Sequence, residues 1–123
     1  MSTRAHVRFA TREDGVSFSE HPDKIHAQFY VHSDGYPEGL GLDIAMSYTD
    51  QEIVSGWEIE HVQTIHGDLD YIYYIWSDYD KSTWISIFET KPFEDQVGRC
   101  IFVGKPNKLI AKFERITYDE KRN

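Results

Sequence analysis

Two runs of bulky, β-favouring residues in the second half of the chain constrain the fold most. Residues 69–76 carry large side chains at successive positions, and residues 83–89 repeat this pattern after the polar segment 78–82. Large side chains on both faces are typical of a central strand that is covered on both sides, and Asp-Tyr-Asp-Lys-Ser is typical of a turn. We therefore predict a central antiparallel hairpin, with Tyr73 and Ile75 in the core.

Alternation of apolar and polar residues predicts further strands along the chain. These are expected at residues 5–10, 16–18, 24–32, 57–65 and 99–103. The pattern indicates an α+β fold, a single domain of residues 1–123 with a mostly antiparallel β-sheet and two short α-helices. Residues 119–123 are expected to be a frayed tail.

The two helices are predicted from apolar spacing of three and four residues. One covers residues 40–49, and the other begins near Pro106, whose missing N–H suits a first helical turn. In the second helix, Leu109, Phe113 and Ile116 lie on one face.

The composition indicates a folded single domain and argues against a membrane-spanning protein. The 123 residues include 15% aromatics, which is enough for a folded core in one domain. No apolar run approaches the ~20 residues that span a bilayer, and the single cysteine, Cys100, excludes an internal disulfide and is predicted to be a small core residue. We expect a cytoplasmic protein that does not bind membranes.

The charge argues against direct binding to nucleic acid. The chain carries 21 acidic and 13 basic residues, a formal net charge of −8, whereas proteins that track a phosphate backbone need clustered Lys and Arg. An acidic surface favours solubility, and it also allows docking on a basic partner.

Two polar clusters are the candidate functional segments. The first lies in residues 32–39, between a predicted strand and a predicted helix, and the second in residues 66–70, at the start of the aromatic run. We expect the two loops to meet, either as one polar site or as a shared structural brace. The candidate ligand-binding residues are His32, Asp34, Tyr36, Glu38, His66, Asp68, Asp70 and Arg4.

Three segments, in order, resemble a family of small phage, prophage and bacterial proteins without an established reaction. They are residues 1–5 (Met-Ser-Thr-Arg-Ala), 30–39 (Tyr-Val-His-Ser-Asp-Gly-Tyr-Pro-Glu-Gly) and 65–73 (Ile-His-Gly-Asp-Leu-Asp-Tyr-Ile-Tyr). This chain departs from the family pattern at Val31, where Arg is usual, and at Asp70, where Glu is usual. The resemblance implies a phage or mobile-element origin, and small phage proteins often inhibit host machinery or sequester host signals.

The residues themselves leave several chemistries open. His32, Asp34, His66 and Asp68 are suitable metal ligands, but their spacing matches no recognised metal motif, and the same carboxylates can simply bond turn backbone. We expect no bound metal and no other cofactor.

A small nucleotide-like ligand is a second possibility. It would stack on a tyrosine and meet positive charge from Arg4 and Arg8, which alternate outward from the first predicted strand. Free N–H groups near Gly39 and Gly41 would attract its phosphate, although Glu38 would repel it.

No catalytic constellation is recognisable in the sequence, because Cys100 is distant from both clusters and GxSxG is absent. We therefore predict a non-enzymatic binding protein of the host cytoplasm that binds a host protein or sequesters a small nucleotide-like ligand. A homo-oligomer is left open. The alternative is a metal-dependent hydrolase or nuclease that uses the His and Asp residues of the two clusters.

Overall fold

The computed structural model describes residues 3–11, 22, 24–32, 34–50, 57–62, 64, 69–77, 82–90 and 97–113. The strands are β1 (Ala5–Thr11), β2 (Lys24–Val31), β3 (Trp57–Glu60), β4 (Tyr71–Ser77), β5 (Thr83–Thr90) and β6 (Val97–Gly104). A π-helical turn, Pro37–Gly41, leads into α1 (Leu42–Asp50). Residues 106–113 form α2.

All six described strands belong to one sheet, in the order β3-β2-β1-β4-β5-β6. Four of the neighbouring pairs are antiparallel, and β1 with β4 is parallel. The predicted α+β architecture, with a mostly antiparallel sheet and short helices, is confirmed. The parallel pair was not foreseen, because alternation identifies a strand but not its partner.

The predicted central hairpin is also confirmed. In the β4–β5 pair, Tyr71 lies opposite Glu89 and Ser77 lies opposite Thr83. Tyr73 and Ile75 are buried, as predicted. Both strands of the hairpin are interior strands of the sheet, because β4 also pairs with β1 and β5 also pairs with β6.

Some predicted bounds differ from the structure. The first helix begins at Leu42 rather than residue 40 because the preceding residues form the wider π-helical turn. The strand predicted at residues 57–65 is shorter, since β3 ends at Glu60. The predicted strand at 16–18, Ile116 and the tail at 119–123 lie outside the described residues.

One face of the sheet packs against the helices. Its core combines alternate strand residues, such as Val7 and Tyr73, with Ile44 of α1 and Leu109 and Phe113 of α2. The apolar side of each helix therefore faces the sheet, as expected for an amphipathic helix. No described helix is long and apolar enough to cross a membrane.

The opposite face of the sheet holds a second core, which contains no described helical residue. Its buried apolar members are Ala10, Tyr30, Leu69, Ile72, Tyr74, Trp76 and Phe88. Trp76 stacks on Trp84 with ring centroids 5.4 Å apart, and half-buried Cys100 packs against this core. Both faces of β4 are therefore covered, which explains its unbroken run of large side chains.

A chain of polar side chains is buried beside this second core. Arg8 donates from Nε to Gln28 Oε1 at 2.8 Å and from a terminal nitrogen to the Tyr74 hydroxyl at 2.8 Å. Gln28 donates in turn to Glu60 Oε1 at 2.8 Å, and the same oxygen lies 2.5 Å from His6 Nε2. The guanidinium and the carboxylate thus share one hydrogen-bonded chain, as buried charges require.

This network corrects the expectation that Arg8 brings positive charge to the candidate site. Arg8 is only 9% exposed, and its guanidinium group donates hydrogen bonds to Gln28 and Tyr74. Alternation predicts a half-buried strand, but both faces of β1 are covered. The physical reason is that neighbours on β2 and β4 provide hydrogen-bond partners that no local pattern reveals.

Replacing Arg8 should destabilise the protein strongly. We expect Arg8→Ala to lower the free energy of unfolding by about 3 kcal/mol or more, because Gln28 and Tyr74 lose a buried partner. The matched control is Arg99→Ala, since Arg99 pairs with Glu89 but its side chain is 79% exposed; such exposed pairs contribute little. Urea denaturation of both variants measures the difference, and equal losses would contradict a structural role for the network.

Candidate functional site

The first candidate loop turns sharply at Asp34 and Gly35. Asp34 has a positive φ of 58°, a left-handed conformation that Asp tolerates better than most residues. The Leu40 amide donates to Asp34 O at 3.0 Å, and the Gly39 amide donates to Tyr36 O at 3.0 Å. The predicted Asp-Gly turn is therefore present and is closed by its own backbone.

Gly35 brings this loop against the start of β1. Its amide donates to Thr3 O at 2.9 Å. A Cβ at this position would lie 2.9 Å from Ala5 Cβ and 3.0 Å from Thr3 O, so a side chain has no room here. Glycine is required because the two backbone segments approach so closely.

Tyr73 holds the loop from the core side. Its hydroxyl donates to Gly35 O at 2.6 Å, although its ring belongs to the helix-covered core. Burial raises the pKa of Tyr73 well above its ordinary value, and the neighbouring Tyr71 and Glu38 raise it further. The phenol therefore stays protonated and remains a donor.

The second candidate segment meets the same strand end through Asp70. The Asp70 amide donates to Arg4 O at 2.8 Å, and the Arg4 amide donates to Asp70 Oδ2 at 3.0 Å. The Thr90 amide donates to Asp70 O at 3.2 Å, which ties the segment to β5. Thr3 and Arg4, two consecutive residues, thus bond one member of each cluster.

The described candidate residues differ in accessibility. His32, Asp34 and Asp70 are exposed, Arg4 and Glu38 are half-buried, and Tyr36 is 39% exposed. Tyr36 is thus a large side chain with an aromatic ring that is exposed on this loop. His66 and Asp68 lie outside the described residues, so their part in the predicted site stays a prediction.

Three carboxylates act on Tyr71 at this end of the sheet. Burial raises the pKa of Tyr71, and so do the carboxylates of Glu38, Glu89 and Asp70, in that order. Sequence reasoning missed Glu89, although the hairpin register would have placed it opposite Tyr71. The three carboxylates come from the π-helical turn and from the ends of the hairpin, so only the fold brings them together.

The site shows no metal-binding geometry in the part of the chain that the structure describes. There, no three His, Cys, Asp or Glu side chains are grouped to hold a metal ion. No family model, curated protein or solved structure matches this chain. The described part of the site is a turn whose Gly35 is bonded by Thr3 and Tyr73, with Tyr36 exposed beside it.

Tyr73 should make stability sensitive to alkaline pH. Unfolded tyrosine ionises near pH 10, whereas the raised pKa of Tyr73 keeps the folded phenol protonated. As the pH rises above about 10, the unfolded state loses its proton first, so stability falls by up to about 1.4 kcal/mol per pH unit until the folded pKa is passed.

Tyr73→Phe tests this linkage. The variant should be less stable than the wild type by about 1 kcal/mol near neutral pH, since it loses the bond to Gly35, but this deficit should shrink above pH ~10. Urea unfolding at several pH values, with absorbance of ionised tyrosine, measures both effects. Parallel pH profiles for the two proteins would rule out the role given to Tyr73.

Substitutions at Asp70 and Glu38 should distinguish a side chain that stabilises the fold from one that only contributes charge to the surface. We expect Asp70→Ala to lower the free energy of unfolding by about 1 kcal/mol, because the Arg4 amide loses its carboxylate partner. Glu38→Gln, at a carboxylate on the same surface, should change stability by less than about 0.5 kcal/mol. Thermal and urea denaturation provide the comparison, and a neutral Asp70→Ala would show that Asp70 is no brace.

Proposed function

We propose that this chain is a small non-enzymatic binding protein, of phage or mobile-element type, that acts in the host cytoplasm by docking on a basic host protein. The observation that carries the proposal is Tyr36, an exposed aromatic side chain on a rigid turn. Tyrosine is enriched among residues that dominate binding energy. A preformed turn lowers the entropy that binding costs.

The bracing of the turn supports this role. Thr3 and Tyr73 both hold Gly35, and the next residue is Tyr36. The backbone around the tyrosine is therefore fixed by the sheet and does not need to be ordered by a partner. A segment built only as a connector would not require such anchoring.

Charge favours a basic protein over a nucleotide at this surface. Glu38, Asp70 and Glu89 lie close enough to Tyr71 to raise its pKa, and they would repel a phosphate. The formal net charge of −8 adds a long-range attraction for a basic surface. Arg8, which was expected to bring positive charge to a nucleotide-like ligand, is buried and bonded to Gln28 and Tyr74.

The phage or mobile-element origin rests on the sequence resemblance of residues 1–5, 30–39 and 65–73. Binding and inhibition of host machinery is consistent with that resemblance and with the small size of the chain. Nothing in the described residues favours the metal-dependent hydrolase, whose proposed ligands include the undescribed His66 and Asp68.

Affinity capture from nuclease-treated bacterial lysate tests the proposal with matched variants. Wild-type protein should retain a basic protein at low salt and release it at high salt, because screening weakens charge attraction. Tyr36→Ala should weaken retention about 30-fold or more, the effect of losing a dominant contact residue. Lys108→Ala, at an exposed position of α2, is the control and should behave as wild type.

Two results would overturn the proposal. One is equal retention of the same proteins by wild type and Tyr36→Ala. The other is manganese-stimulated, chelator-sensitive hydrolysis of a phosphodiester by the wild-type protein, which would favour the hydrolase alternative.

A further inference from the structure

Positive charge is concentrated in one segment of this acidic chain. Residues 97–113 contain Arg99, Lys105, Lys108 and Lys112 and no acidic residue, although the whole chain carries a formal net charge of −8. The structure describes this segment without a gap, as β6 and α2. The local charge of the segment is therefore opposite to the net charge of the chain.

Three lysines form a row along one side of α2. Spacings of three and four residues place Lys105, Lys108 and Lys112 on the same side of the helix. The amides of Lys108 and Leu109 donate to Lys105 O at 3.0 and 3.2 Å, so Lys105 lies at the start of the first turn. All three lysines are exposed, whereas Leu109 and Phe113 pack into the core. We call Lys105, Lys108 and Lys112 the lysine row.

Aromatic rings position two ammonium groups of the lysine row. Lys105 Nζ lies 5.7 Å from the centroid of the Trp84 ring. Lys112 Nζ lies 5.6 Å from the Phe102 centroid and 5.4 Å from the Phe113 centroid. Contacts of a cation with a ring face are attractive, so they favour conformations in which these ammonium groups stay close to the protein surface. Such preorganisation lowers the entropy that a binding partner must offset.

The lysine row keeps the capacity to bond an anion. Lys112 donates to Ile101 O at 3.2 Å, and an ammonium group has three N–H donors, so Lys112 can also donate to an anionic oxygen. Arg99 differs, because its guanidinium nitrogen lies 2.6 Å from a carboxylate oxygen of Glu89. The charge of Arg99 is thus matched within the chain, and the lysine row is the part of the segment that is suited to a partner.

We propose that the lysine row binds an extended acidic peptide segment of a partner protein. Side chains at alternate positions of an extended peptide lie about 6.6 Å apart on one side, and four helical residues rise about 6 Å. Carboxylates at alternate positions therefore match Lys108 and Lys112. Strand β6, which Lys112 contacts, is at least partly exposed from Val97 to Val103, so the peptide backbone also has strand groups nearby that it can bond.

A short acidic peptide fits this surface better than a nucleic acid. A phosphate backbone carries charge along its whole length, so it would extend beyond the lysine row and meet the net negative charge of the chain. Charges more than about 8 Å away are largely screened at physiological salt, so a short segment interacts mainly with the lysines. The inference does not depend on the docking function proposed for Tyr36, which lies on a different element.

Amide NMR of the full chain tests the inference with a synthetic peptide of about eight residues, in which glutamate alternates with serine. At low salt this peptide should shift the amide signals of Lys105, Lys108 and Lys112 with a Kd below about 1 mM, and added salt should weaken the binding. The same peptide with glutamine in place of glutamate should not shift these signals.

Three outcomes would overturn the inference. The first is no shift of the lysine-row amides with the glutamate peptide, and the second is equal shifts with the glutamate and glutamine peptides. The third is tighter binding of an oligothymidylate of the same charge, which would favour a nucleic acid as the partner.

Matched variants locate the site. Lys108→Gln and Arg99→Gln each remove one positive charge at an exposed side chain. Lys108→Gln should weaken peptide binding about threefold, the effect of one exposed charge pair, whereas Arg99→Gln should leave it within about twofold of wild type. The amide spectrum of each variant checks that the fold persists. Equal effects of the two substitutions, whether both weaken binding or neither does, would show that the lysine row is not the binding site.

Discussion

The rest of the structure depends on the parallel hydrogen bonding between β1 and β4. This pairing joins two strands that are distant in the chain, with Ala5 opposite Tyr71 and Phe9 opposite Ile75. Bringing distant segments together costs loop entropy, and the pair is stabilised because both of its faces are covered by core residues. With this pair in the centre, β2 and β3 extend the sheet on one side, and β5 and β6 extend it on the other.

The same pairing creates two different ends. At the amino-terminal end of the pair, Thr3 and Arg4 bond Gly35 and Asp70, which come from the two polar clusters. At the carboxyl-terminal end, the last residues of the two strands, Thr11 and Ser77, line one cavity together with His26. An antiparallel arrangement of these strands would have placed the start of β4 beside the end of β1, and neither juxtaposition would exist.

The buried polar chain from Tyr74 to His6 gives the sheet a further constraint. Gln28 Nε2 lies within hydrogen-bond distance of Glu60 Oε1 and also of the backbone oxygens of His61 and Thr64. It therefore fixes the chain that follows β3 against β2. Apolar packing tolerates small shifts, but a buried hydrogen-bonded network is satisfied only in one register, so these residues specify how the strands align.

The sequence by itself determined the local elements and much of the loop chemistry. Alternation located β1, β2 and β6, and runs of large side chains located β4 and β5. Pro106 located the start of α2. Side-chain pattern and proline geometry are local properties, so the sequence is enough to find these elements. The Asp34-Gly35 turn was readable for the same reason. Only the tertiary structure decided that Arg8 is internal, that Glu89 joins Glu38 and Asp70 around Tyr71, and that Thr11 meets His26. These outcomes depend on which strands become neighbours, and strand pairing is selected by the packing of the whole chain rather than by the residues of any one strand.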